Sequence, residues 1–360
     1  MTIALGADRL ATSIDAGPRG WIASPAFDLP CFVFAPMAGL AFLAVALAVP
    51  ADFRFVVQSA VFYFVAVPHY MSTYTFFMGD ENRRYYRSRQ LAFFGGPIGI
   101  ALAVAALWVL RFPPIIQFVV FVWNVWHVAR QNNGILSMYR RLNGGIRSEF
   151  QPANWALLGL SGAMTFWRID RFPPVGGPLA QLHPEAGHAL ALALGAIGLI
   201  ALAILLVRMH APGRRVAWQE WAFLGSAVVM FHPYLWVSDY TLATLGMLMG
   251  HFVQYLALVW MLHRRTYEGV ELAGSAPQRL LERVSTRTTL VLVAFLVCGA
   301  FFLVANQAST ALGVPSVYTV SWFAFTFIHF YLDGFLWAFR DPYIRDSVGR
   351  LLMPAERVAA

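Results

Sequence analysis

Apolar runs of about twenty residues recur along the whole chain, each long enough to cross the roughly 30 Å hydrocarbon core of a bilayer. Short polar segments rich in arginine separate them. The pattern predicts ten membrane spans, at 31–49, 55–78, 91–110, 114–132, 153–167, 188–208, 218–237, 241–263, 288–306 and 316–339. The fold class expected is therefore all-α, a polytopic transmembrane helical bundle over 31–339 between an N-terminal tail (1–30) and a C-terminal tail (340–360). One connecting segment, Ala276-Pro-Gln-Arg-Leu-Leu-Glu-Arg-Val284, has the spacing of a short amphipathic helix lying on a membrane surface, with a structural role.

Composition strengthens this picture: 59% of residues are hydrophobic, 12% are charged, and the mean hydropathy is +0.60. No connecting segment exceeds about 25 residues, which leaves no room for a soluble domain. The chain contains no phosphate-binding loop and no dinucleotide fingerprint, so any chemistry is expected within the membrane. Cys31 and Cys298 fall in separate apolar runs and give neither a disulfide framework nor a thiolate metal site.

Charge supplies the orientation. The chain has no lysine, and all 26 basic residues are arginines. With the N-terminus inside, strict alternation over ten spans leaves only Arg54, Arg111, Arg168 and Arg171 outside, and the rest line the inner face. Both termini are thus expected in the cytoplasm, in a bacterial-type inner or plasma membrane. Arginine-rich loops facing anionic headgroups account for the net charge of +8, so no nucleic-acid partner is implied.

Against this background four histidines inside apolar runs stand out: His69, His127, His251 and His329. Ionisable side chains within a bilayer cost several kcal/mol unless they pair or bind something, which makes them functional-site candidates. Their spans all run in the same direction. At about 1.5 Å per residue, His69, His251 and His329 share a depth in the inner half of the membrane, with His127 nearer the inner surface.

Each also has polar company on its own helical face. Asn124, His127 and Gln131 form one stripe; Thr73 follows His69 by a turn, Tyr255 follows His251, and Asp333 follows His329. Asp333 serves either as a ligand or as the acceptor that orients a ligand histidine. Neutral imidazoles with one carboxylate suit iron, zinc or copper better than calcium or magnesium. The candidate metal ligands are therefore His69, His127, His251, His329 and Asp333, with Tyr255, Asn124 and Gln131 placed to orient bound oxygen or substrate. His232 is expected to be interfacial, and His183, His188, His210 and His263 fall at loops or span ends and are not expected to be ligands. Aromatic residues gather around the four histidines, a lining that would suit a polyene or long acyl chain.

Several parallel spans, each supplying one of His69, His127, His251 and His329, with Asp333 beside them, resemble the Brp/Blh family of integral-membrane dioxygenases that split carotenoids. More loosely they resemble the histidine-rich fatty-acid desaturases and hydroxylases. The HxxxH and HxxHH boxes of the desaturases are absent here. The resemblance implies a non-haem iron centre, mononuclear or dinuclear, that activates O2 against a lipid or isoprenoid substrate. A monooxygenase or desaturase would need an electron-donor protein on the cytoplasmic face; a dioxygenase would not. Two other readings use the same residues, a proton- or cation-coupled transporter and a bis-histidine haem protein.

Overall fold

The computed structural model describes residues 20–145, 147–171, 185–269 and 274–352. Among these, every regular element is helical. We number the principal helices α1 (Ala35–Ala48), α2 (Ala51–Met78), α3 (Leu91–Val109), α4 (Pro113–Leu142), α5 (Phe150–Phe166), α6 (Ala186–Met209), α7 (Trp218–Val229), α8 (Tyr240–Tyr267), α9 (Ala276–Ser285), α10 (Thr288–Ala311) and α11 (Pro315–Leu336).

A helix overlies each of the ten apolar segments of the sequence. Five of them, α2, α3, α6, α8 and α10, are long and apolar enough to cross a membrane, and the bent pair Pro25–Val33 and α1 passes the same test when taken together. α4 and α11 fall short of that test because they carry the polar side chains of the site described below, which dilute the apolar pattern.

α8 is the central post: 78% of its apolar stretch is buried, against 6% for α10. Glycines let helices approach closely where the bundle is densest, as in membrane helix packing generally. A methyl group on Gly39 of α1 would sit 2.0 Å from the Gly246 carbonyl oxygen of α8, and one on Gly159 of α5 would sit 2.6 Å from Gly198 Cα of α6. At the edge of the bundle α10 presents Leu292, Leu296, Val297, Phe301 and Val304 to the surroundings, an apolar exposure suited to lipid.

The structure departs from the sequence pattern in three places. The segment 218–237 is not one helix: α7 ends at Val229, a turn carries His232, and a short helix resumes at Pro233. Pro233 lacks the N–H that would bond the Val229 carbonyl and continue the ladder. Residues 20–30, assigned above to a tail, pack against the bundle: Trp21, Ile22 and Asp28 are buried, and Arg265 of α8 donates to the Ile22 carbonyl. At the other end Ile344, Val348 and Leu352 are buried too, so the packed region runs past Phe339. Residues 1–19 and 353–360 of the two tails, and His183, lie outside the described residues.

The amphipathic segment forms α9 as expected, capped by Ser275, whose hydroxyl accepts from Gln278 N. Asp80, at the start of the short helix Asp80–Arg87, pairs with Arg83 and accepts from Ser275 N at 2.9 Å, which clasps α9 to the end of α2. Gly274 permits this, since its φ of +90° favours glycine and a Cβ there would meet Asp80 Oδ2 at 2.6 Å.

Candidate metal centre

The local sequence of α2 explains how His69 faces inward. Pro68 has no N–H and its ring crowds the carbonyl four residues back. The helix accommodates this just upstream with a π-turn over Phe62–Ala66, in which Val67 N–H reaches back to Phe62 O. The extra residue shifts the helical phase by about 100°, and the stretch after it buries His69, Ser72 and Thr73 together.

α4, α8 and α11 bring His127, His251 and His329 to the same place. All four histidines are buried, and one ring nitrogen from each lies within 4.8 Å of the others. The rings follow one another around a closed cycle, with centroid separations of 4.6 Å (His69 to His251), 5.1 Å (His251 to His127), 5.1 Å (His127 to His329) and 4.7 Å (His329 to His69). Their planes are steeply inclined to one another, between 64° and 85°.

The ring nitrogens show what the arrangement fits. Both nitrogens of His69, Nε2 of His127, Nδ1 of His251 and Nε2 of His329 are buried without a hydrogen-bond partner. Unpaired buried polar atoms are costly, and lone pairs converging from four sides repel one another. A cation at the centre turns both penalties into bonds. Four nitrogens about 2.1 Å from one ion would stand roughly 3–4 Å apart, inside the 4.8 Å limit that holds here. The four-histidine group can therefore hold a metal ion.

Asp333 stands beside this group. Its Oδ2 is 3.9 Å from Nε2 of both His127 and His329. Its Oδ1 accepts from the Tyr255 hydroxyl at 2.7 Å and from Thr73 Oγ1 at 3.2 Å. Thr73 Oγ1 is in turn 2.7 Å from Tyr255 Oη and 2.6 Å from His329 Nδ1. Tyr255 is thus engaged with Asp333, with its ring 4.7 Å from that of His69. Among the described residues, neither Asn124 nor Gln131 hydrogen-bonds any of the four histidines. The Asn124 Oδ1 and both amide atoms of Gln131 are instead buried without partners.

Thr73 is the member that sequence reasoning left out of the candidate set. Its position one turn after His69 was the available signal, but threonines are common in membrane helices. Of the other histidines, His263 is buried and its Nε2 lies 2.7 Å from Thr75 Oγ1, while His210 and His232 bond backbone carbonyls through Nδ1. His188 packs edge-on against Trp167.

An apolar groove of about 200 Å³ opens between α2, α8, α9 and α10. Pro68 and Ser72, which flank His69 on α2, form part of its wall, together with Trp260, Phe295 and Cys298.

No protein-family model, curated protein or solved structure matches this chain. The reading of the centre rests on its geometry.

Proposed function

We propose that this chain is an integral-membrane oxidoreductase that uses a non-haem iron centre to act with O2 on a lipid-soluble substrate. The observation that carries the reading is the convergence of four buried histidines, one ring nitrogen of each within 4.8 Å of the others, with an unpaired ring nitrogen on every one. Imidazole suits iron, zinc and copper, and the absence of cysteine from the group disfavours a thiolate-preferring ion. A haem takes two axial nitrogens and fills the equatorial plane with its own ring, whereas four histidines from four helices crowd this space. Iron, when bound, would supply the redox chemistry with O2.

His69, His127, His251 and His329 would hold the ion, and Asp333 Oδ2 is the nearest carboxylate oxygen. The bundle keeps the centre dry, and the apolar groove beside His69 offers a route for a lipid or isoprenoid chain. In this reading all ten helical segments span the membrane, both termini face the cytoplasm, and α9 rests on the inner surface. The arginine-rich inner face is where an electron-donor protein would dock if the reaction consumes external electrons.

Elemental analysis of detergent-purified protein tests the proposal. One or two irons per chain without a haem Soret band, lost in His251→Ala and His329→Ala, is the expected outcome. Protein purified without chelators that carries no transition metal overturns it.

A further inference from the structure

We propose that Thr73 is a positioning residue for this centre: its hydroxyl links Asp333 to His329 and sets which nitrogen of that ring faces the ion. The inference rests on the metal-binding reading above.

Thr73 Oγ1 carries a single hydrogen and has three neighbours, His329 Nδ1 at 2.6 Å, Tyr255 Oη at 2.7 Å and Asp333 Oδ1 at 3.2 Å. A carboxylate only accepts. Tyr255 therefore donates to Asp333 Oδ1 across 2.7 Å, and Thr73 shares its hydrogen between that same oxygen at 3.2 Å and the Tyr255 oxygen at 2.7 Å. The Thr73 oxygen then has a lone pair free to accept, and the donor within reach is His329 Nδ1–H. A neutral imidazole has one ring hydrogen, so Nε2 of His329 keeps its lone pair. That atom is the one found buried and unpaired, 3.9 Å from Asp333 Oδ2.

The reverse order fails as a ligand arrangement. Were Thr73 to donate to His329 Nδ1, the ring hydrogen would sit on Nε2 and that nitrogen would have no lone pair to offer. The carboxylate thus selects the competent tautomer through an intervening hydroxyl, where metal-bound histidines more often donate to a carboxylate or carbonyl directly. Threonine suits the post because its branched Cβ restricts side-chain rotation in a helix. Thr73 also shares a face of α2 with His69, so one helix supplies one ligand and positions another.

The test uses the full-length chain purified in detergent, with Co(II) alone as probe. Chelator competition measures affinity, and proton NMR follows exchangeable ring N–H resonances shifted by the paramagnetic ion. Thr73→Val keeps the shape and removes the hydroxyl; Thr73→Ser keeps the hydroxyl. The expected result is a loss of about 10–100-fold in Co(II) affinity for Thr73→Val, disappearance of one shifted exchangeable resonance, and recovery of both in Thr73→Ser. Wild-type elution volume in both variants marks them as folded. Thr73→Val that binds Co(II) like wild type and keeps every shifted resonance, while His329→Ala loses the ion, overturns the positioning role and leaves the metal centre standing. Wild-type protein that binds neither Co(II) nor iron overturns both.

Discussion

Two buried polar clusters in this molecule solve opposite problems. At the arginine-rich end, Arg140 of α4 and Arg214, in the segment before α7, both bond Glu149, at 2.9 and 3.1 Å, and Arg214 also pairs with Glu220 of α7. This knot closes on itself: cations meet anions, and among the described residues Arg140 Nη1 is its one fully buried side-chain atom without a partner. In the histidine centre, by contrast, five ring nitrogens are buried without a hydrogen-bond partner. The contrast separates polar groups that hold the chain together from polar groups prepared for something brought from outside.

The sharpest way to break that distinction is to damage each cluster and read both stability and metal. His251→Ala is expected to abolish metal binding with less loss of stability in the metal-free protein than a break in the knot, because its buried Nδ1 has no partner to lose; His329→Ala should abolish binding too and also break the 2.6 Å bond to Thr73. Elemental analysis and a thermal melt of the apo form check it. Arg214→Met should do the reverse. It leaves Glu220 buried without its counter-charge, at a cost of about 3–5 kcal/mol, while metal per folded molecule stays at the wild-type level in detergent denaturation followed by metal assay.

A smaller effect distinguishes the knot by acid. Burial pushes the Glu149 carboxyl up, but Arg214 and Arg140 outweigh it and hold it below the usual carboxylate range. Asp80 is held down to about 2, first by hydrogen bonds from the Ser275 side chain and backbone and then by Arg83. Both are depressed, so each contribution is complete above the ordinary carboxylate value and is lost as pH falls through the folded one. For Asp80 that window runs from about pH 4 down to about 2. Limited proteolysis around α9 across that range should show the clasp opening. Least of all, Ser275→Ala removes the cap of α9 and is expected to cost about 1 kcal/mol, read as a modest drop in melting temperature with metal unchanged.

Much of this architecture is legible in the apolar pattern. Each of the ten runs carries a helix, and the four histidines inside them are the ones that meet. Other features depend on contacts that no local pattern encodes. The break in the seventh segment follows from Pro233, yet Pro36 sits in the first turn of an unbroken α1, and Pro97 is carried inside α3 behind a π-turn over Leu91–Gly95. The packing of residues 20–30 depends on Asp28, which accepts from the backbone of Ile22 and Ala23 and from Tyr139 of α4, partners distant or unremarkable in sequence. α4 runs ten residues past the segment at 114–132 because its polar continuation is buried against neighbours, with Asn133, Met138 and Tyr139 all enclosed. Thr73 gained its place only when α2, α8 and α11 were seen together.

The crossing of α10 over the π-turn of α2 sets an unequal tolerance to mutation. A Cβ on Gly299 would lie 2.3 Å from the Tyr63 carbonyl oxygen, beneath a helix whose flank is otherwise open. Leu292, Leu296, Val297, Phe301 and Val304 should therefore exchange freely among apolar residues in a saturation library, because lipid accepts any of them. Gly299 should admit no replacement without displacing the wall that α10 gives to the groove beside the turn leading to His69. Variation along α10 would then look neutral at nearly every exposed position and sharply constrained at a glycine that touches no histidine.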